Sequence, residues 1–328
     1  MKAFLLDRAG APETLRLAEV AAPEPAAEQV RVKVEAVGLN PVDYKIAAQG
    51  HPDWTFPFIL GLDVAGIIDA VGADVKGWKT GERVYYHGDL RRPGGYAEFA
   101  LADPDALARI PATVTAVQAA AIPTAGFTAW QAIHGNAHVK KHRTILIHGG
   151  AGGVGGFAIQ LAKRAGLKII TTASPKNADR LRALGAEHVI DYSGDVAAAV
   201  MQITHNRGVD LALDTVGPES ATSTFKLLAF GGQLICIAGL PDFSVWKPFE
   251  KAPSVHELAL GGAYSSGDKM AVQALGKIAA ELIALVGQGK IDPLVGEVVG
   301  FSELPSALAR LKKREVPSGK VVVDVLKP

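Results

Sequence analysis

The sequence predicts an α/β protein built around a doubly wound parallel sheet, and three observations carry that expectation. From Thr144 on, apolar strand-like runs alternate with helix-like stretches, the pattern of parallel strands joined by right-handed helical crossovers. One strand-to-helix junction, "HGGAGGVGG" at 148–156, holds six glycines. The chain has 328 residues, more than one small core organises, and suggests about two domains.

Taken in order, the first ~115 residues read as short strands and turns. "QVRVKVEAVGL" alternates apolar and polar as a half-buried strand does, and "GIIDAVGADVKGWKTGERVYY" reads as strands joined by glycine turns. "TILIHG" is then a buried strand, and "GFAIQLAKRAG" a helix ended by Gly166. "KIITTA", "HVIDY", "VDLALDTVG", "GQLICIAG" and "ELALGGAY" supply five further strands, with the helix "NADRLRALG" between the first two. "MAVQALGKIAAELIALVGQGK" is a long amphipathic helix, and "GKVVVDVLK" closes the chain as a strand able to return to the first domain.

Composition narrows the function. With 34 basic against 33 acidic side chains, no whole-chain basic field exists to attract nucleic acid or anionic lipid. No stretch approaches ~18 uninterrupted apolar residues, so no membrane span is expected, and the N-terminal apolar run is too short for a signal peptide. Cys236 is the single cysteine, which excludes intrachain disulfides and thiolate zinc clusters and makes the reducing cytosol the default compartment.

The glycine junction follows a strand and opens a helix, the context a dinucleotide-binding loop of the Rossmann type requires. Gly150 would allow the tight turn, Gly152 the approach of backbone amides to a pyrophosphate, and Gly155 close packing of helix on strand. Gly153 and Val154 complete the loop at the helix N-terminus, whose unpaired N–H groups attract phosphate. An NAD site wants a carboxylate at the end of the second strand. Here that strand runs "IITTASPKN", and Ser174 and Lys176 stand there instead. A hydroxyl and an ammonium suit a 2′-phosphate, so NADPH is the expected cofactor.

These residues, with "VGLNPVDYK", "ILGLDVAGIIDAVG", "GGYAEFA", "AAIPTAGFTAW", "LGAEHVIDY" and "SGKVVVDV" in the same order, resemble the zinc-free quinone oxidoreductase and enone reductase branch of the medium-chain dehydrogenase/reductase superfamily. The resemblance implies a GroES-like β-rich catalytic domain at 1–117, a Rossmann domain inserted at 118–261, and a C-terminal segment, 262–328, completing the catalytic domain. It also implies Thr128 near the nicotinamide, Tyr192 beside the adenosine, and a homodimer joined through nucleotide-domain edge strands such as "ELALGGAY".

Departures from the zinc-dependent relatives are equally informative. Those place a Cys where this chain has Asn40 and Gly-His-Glu where it has Gly61-Leu62-Asp63. Without a metal there is no strong Lewis acid to polarise a simple ketone, so no metal site is expected. The histidines His134, His138 and His142 are spaced by four, but Gly135 and Asn136 break the helix they would need. His148 reads as packing. Acceptors that need no metal are quinones and α,β-unsaturated carbonyls, whose hydride adducts are delocalised anions that hydrogen bonds can stabilise. Asn40, Tyr44 and Lys45 are the candidate donors, with Asp43 a structural acceptor in the same loop. Trp54, Phe56, Trp246 and Tyr264 suggest a flat or bulky acceptor. A rival reading keeps the NADPH site but makes the chain a sensor or scaffold with marginal activity.

Overall fold

The computed structural model describes residues 1–135 and 143–327. The chain divides into two compact units, Met1–Phe127 with Gly261–Pro328, and Thr128–Leu260. The first crossing was expected at 117/118. Contacts place it at Phe127/Thr128, because helix α2 (Ala116–Ala120) packs on the sheet of the first unit.

That first unit begins with the antiparallel pair β1 (Lys2–Leu5) and β2 (Arg16–Glu19). Strand β3 (Val30–Gly38) follows, then helix α1 (Pro41–Gln49), β4 (Asp63–Val71), β5 (Arg83–His87), β6 (Phe99–Ala102) and β7 (Ala108–Arg109). Alternation in β3 has the expected effect, with Val30, Val32 and Val34 all buried. The segment after Asn40 was read as a loop, yet it is the nine-residue helix α1. Pro41 presets the first helical turn, and the Asp43 carboxylate accepts from the Asn40 N–H at 2.8 Å, so the start is capped from within.

In the second unit α3 (Thr128–Trp130) precedes β8 (Thr144–Ile147), and helices then alternate with parallel strands. They run α4 (Gly153–Arg164), β9 (Lys168–Ala173), α5 (Ala178–Leu184), β10 (His188–Asp191), α6 (Val196–Ile203), β11 (Val209–Asp214), α7 (Pro218–Thr224), β12 (Leu228–Cys236) and β13 (Ser254–Glu257). The sheet order is β10-β9-β8-β11-β12-β13, all parallel. Winding reverses between β8 and β11, the place where such sheets bind ligands beyond their carboxyl ends. The last strand lies earlier than "ELALGGAY". Its ladder partner ends at Cys236, paired with Glu257, so the apolar run beyond has no strand to lie against and turns into helix α8 (Gly262–Ser265).

The C-terminal segment rejoins the first unit through α9 (Lys269–Gly287), β14 (Val295–Gly300), α10 (Leu304–Lys313) and β15 (Lys320–Asp324). Strand β15 pairs antiparallel with β3, giving the order β14-β15-β3-β4-β5-β7 with β6 also on β3. By length and composition α9 alone among the described helices is apolar enough to cross a membrane. Its Leu275, Ala279 and Leu282 are buried, however, and its Ala279 carbonyl accepts from the Tyr85 hydroxyl at 2.6 Å. It is a core helix of the first unit.

Candidate active site

Strand β8 delivers the chain to the glycine loop, and the loop's geometry separates its glycines by task. The one with positive φ is Gly149, at +75°, one residue before the position assigned to the tight turn. Gly150 is needed for a different reason: a Cβ there would lie 2.1 Å from the Thr171 hydroxyl on β9. At Gly155 a Cβ would meet the Gly149 carbonyl at 2.4 Å, so helix α4 packs against the loop only without one. Gly152 is open, with the Gly149 oxygen at 3.4 Å as the sole neighbour. No side chain caps the start of α4, leaving its positive end and the amides of Gly153 and Val154 to a ligand. This open, side-chain-free cradle fits a dinucleotide pyrophosphate.

Neighbouring side chains hold the cradle in place. The Gly149 N–H donates to the Thr172 hydroxyl at 3.2 Å and the Gly150 N–H to the Thr172 carbonyl at 3.0 Å. The Thr215 hydroxyl donates to the His148 carbonyl at 2.7 Å, and Asp214 accepts from the Val216 and Gly217 amides at 2.9 Å each. Sequence reasoning missed these supports. "DTVG" was visible as a motif, but the threonines of "KIITTA" look like ordinary strand residues. His148 is buried with Nε2 3.0 Å from the Thr224 hydroxyl, and burial lowers its pKa.

Ser174, half-buried, and Lys176, exposed, follow the carboxyl end of β9 on a short 3-10 turn. The strand itself ends at Ala173, so no carboxylate stands there. Tyr192 follows β10 and is 64% exposed, while Thr128 is buried in α3. The ends of parallel β8, β9 and β10 therefore carry the glycine loop, Ser174 with Lys176, and Tyr192 on one edge of the sheet. Of the spaced histidines, His134 lies in a wide helical turn with its ring 4.5 Å from Trp130, and His138 and His142 lie outside the described residues.

In the first unit Asn40, Tyr44 and Lys45 share the start of α1 but occupy different surroundings. Asn40 is buried, and its amide donates to Asp63 at 2.9 Å and to the Gly38 carbonyl at 3.4 Å. Its oxygen accepts from the Lys320 ammonium. Tyr44 packs against the apolar core, and burial raises its pKa while Arg314 opposes the rise. Lys45 is exposed. Leu62 is buried, offering only carbon where a metal would need a donor. Asp43 is buried beside Asp63, and desolvation and that neighbouring charge push its carboxyl up to about 7, against the Asn40 N–H, the Tyr96 hydroxyl and the Lys320 ammonium. Trp54 stacks on Phe58 at 4.2 Å and donates to the Leu90 carbonyl, Phe56 is partly exposed, and the Tyr264 hydroxyl donates to the His87 carbonyl. Trp246 packs with Phe225 in the core of the other unit.

A nucleotide cradle on a doubly wound sheet and a second unit with an embedded polar loop define a dehydrogenase or reductase. Comparison agrees. Family profiles match for the alcohol dehydrogenase GroES-like domain over residues 26–112 and for zinc-binding dehydrogenase over residues 153–280. The chain is 32% identical to a quinone oxidoreductase of Sus scrofa, over 98% of this chain and 97% of that protein. It superposes on the quinone oxidoreductase from Coxiella burnetii with TM-score 0.82 and 31% identity over 99% of each chain. Against CurK enoyl reductase the TM-score is 0.85 and the identity 27%, over 98% of each chain. The chain belongs to the medium-chain dehydrogenase/reductase family, on its quinone oxidoreductase branch. As such it is an oxidoreductase that uses a nicotinamide cofactor and acts on a small molecule.

Proposed function

We propose that the chain is an NADPH-dependent reductase of quinones or α,β-unsaturated carbonyls that works without zinc. The observation that carries this reading is the pair Asn40 and Leu62. One amide is committed to Asp63, Gly38 and Lys320, and one side chain has no donor atom. A metal held there would lack ligands. Ser174 and Lys176, in place of a ribose-binding carboxylate, support the choice of NADPH, and Thr128 and Tyr192 are its proposed neighbours.

The bound nicotinamide would supply the hydride. The protein's part is to hold the acceptor and meet the negative charge that grows on its oxygen. Asn40 has its amide hydrogens spent, and Tyr44 packs into the core, so Lys45 is the proposed donor. The lone cysteine fits a reducing cytosol, and the outer strand β13 fits pairing of two copies.

Steady-state turnover with a panel of quinones, enones, saturated ketones and alcohols tests the reading. Quinones or enones should turn over with NADPH, and prolonged chelation should leave the rate unchanged. Lys176→Ala should weaken NADPH by ~1–3 kcal/mol, the range of a charged hydrogen bond, and leave NADH alone. Loss of activity on chelation, or efficient oxidation of a primary alcohol by the chelated protein, would refute it.

A further inference from the structure

Lys320 opens the last strand, and its side chain runs inward rather than to water. Only 4% of the side chain is exposed, and its partner Asp63 is fully buried, 3.2 Å away. The ammonium has three hydrogens and three acceptors: the Leu39 carbonyl at 3.1 Å, the Asn40 side-chain oxygen and Asp63 Oδ2. Asp63 is equally occupied. Its Oδ2 also accepts from the Asn40 amide, and its Oδ1 accepts from the Thr124 N–H at 2.8 Å and hydroxyl at 2.6 Å. One buried knot thus joins the end of β3, the start of β4, the turn at Thr124 and the start of β15. It sits immediately before α1, and Asn40, held from both sides, is the residue on which that helix starts.

Such a knot is a poor device for stability. Taking two charges out of water costs much of what their attraction returns, and neutral side chains of similar volume often serve the fold as well. Direction is what the pair adds. The Asn40 side chain cannot rotate while Lys320 holds its oxygen and Asp63 its nitrogen. The first turn of α1, bonded to the Asn40 backbone through Asp43, is then fixed in orientation.

We propose that Lys320 and Asp63 are positioning residues for the reduction, their buried ion pair orienting Asn40 and, through the start of α1, the ammonium of Lys45. The proposal rests on the reading above that Lys45 meets the acceptor's charge. Misplacing a reacting group by about 1 Å can cost ~10²-fold in rate, so losing the pair should lower kcat by at least ~10-fold through this route.

The test compares three variants with the parent protein for unfolding midpoint, NADPH affinity, and kcat and KM with a quinone substrate. The neutral pair Asp63→Asn with Lys320→Met should unfold near the parent midpoint, bind NADPH as the parent does, and lose kcat by ~10-fold or more. Lys320→Ala should lose kcat in the same way and regain much of it, saturably, with n-propylammonium, which replaces the missing arm. A folded neutral pair with parental kcat would overturn the proposal. Where that pair does not fold, an Lys320→Ala variant with parental kcat, or one indifferent to propylammonium, overturns it instead. The third variant, Lys45→Met, separates the two readings. Parental kcat there removes the role of Lys45, whereas a slowed Lys45→Met beside an unaffected neutral pair removes the positioning role alone.

Discussion

Asp43 illustrates how burial turns a capping carboxylate into a titrating group. Unfolded, it ionises near its usual value of 3.8; folded, at about 7. Between those values the folded chain keeps a proton that the unfolded chain has released. The contribution of Asp43 to stability therefore falls as pH rises from ~4 to ~7 and is level outside that window. Asp43→Asn cannot ionise but keeps an oxygen for the Asn40 N–H. Relative to the parent, its unfolding midpoint should climb across the window by roughly 8 °C and then level off. About three pKa units are worth ~4 kcal/mol, at ~2 °C per kcal/mol, the low end for domains of roughly 150–250 residues. Calorimetry at one-unit steps from pH 4 to 8 measures the difference, and a gap independent of pH would mean that Asp43 stays ionised in the folded chain. The residue was legible in the sequence only as a hydrogen-bond acceptor. Its titration depends on Asp63, twenty positions further along the chain, which no local pattern brings beside it.

At the scale of elements, the second unit was the more readable because each signal is local. An apolar run, a glycine and a helical period each report on neighbours in sequence. Strands β8 to β11 and helices α4 and α5 accordingly fall where their patterns predict, while β12 overlaps its expected run but starts earlier, at Leu228. Helix α1 went unread because its Pro41 and Asp43 are as typical of a turn as of a helix start. Strand β13 was misplaced because its end is set by the strand beside it, not by its own residues. The glycine loop yields the prediction for this scale. Gly155→Ala places a methyl 2.4 Å from the Gly149 carbonyl, a backbone atom, and should cost ~1–3 kcal/mol of stability as overpacking does. Gly152→Ala meets only an oxygen at 3.4 Å. It should unfold near the parent midpoint yet bind NADPH at least ~10-fold more weakly, since its methyl enters the space assigned to the pyrophosphate. Thermal unfolding and cofactor titration of the two variants separate packing from binding, and equal losses of stability would contradict the division.

On the scale of the molecule, the sequence announced the return of the last strand as "GKVVVDVLK" but not what its lysine reaches, because the partners Leu39, Asn40 and Asp63 lie some 260–280 positions earlier. The first unit is thus made of two distant pieces of chain, with the second unit continuous between them. A chain stopped at Gly319 lacks β15, leaving residues 36–38 of β3 paired only with β4 and open on their other edge, and Asp63 without its cation. It should accumulate as insoluble protein, since an unpaired edge over an exposed apolar face invites association, whereas a chain ending at Val325 should stay soluble; fractionation of expressed protein decides. The same split dictates an order of events on the ribosome. Residues 128–260 are complete when Leu260 is made, while the β3 edge must wait for β15, about 3–13 s later at ~5–20 residues per second. For that interval the nascent protein carries a finished nucleotide fold and a half-built first unit, and the sticky strand is the one that leads into Asn40 and helix α1.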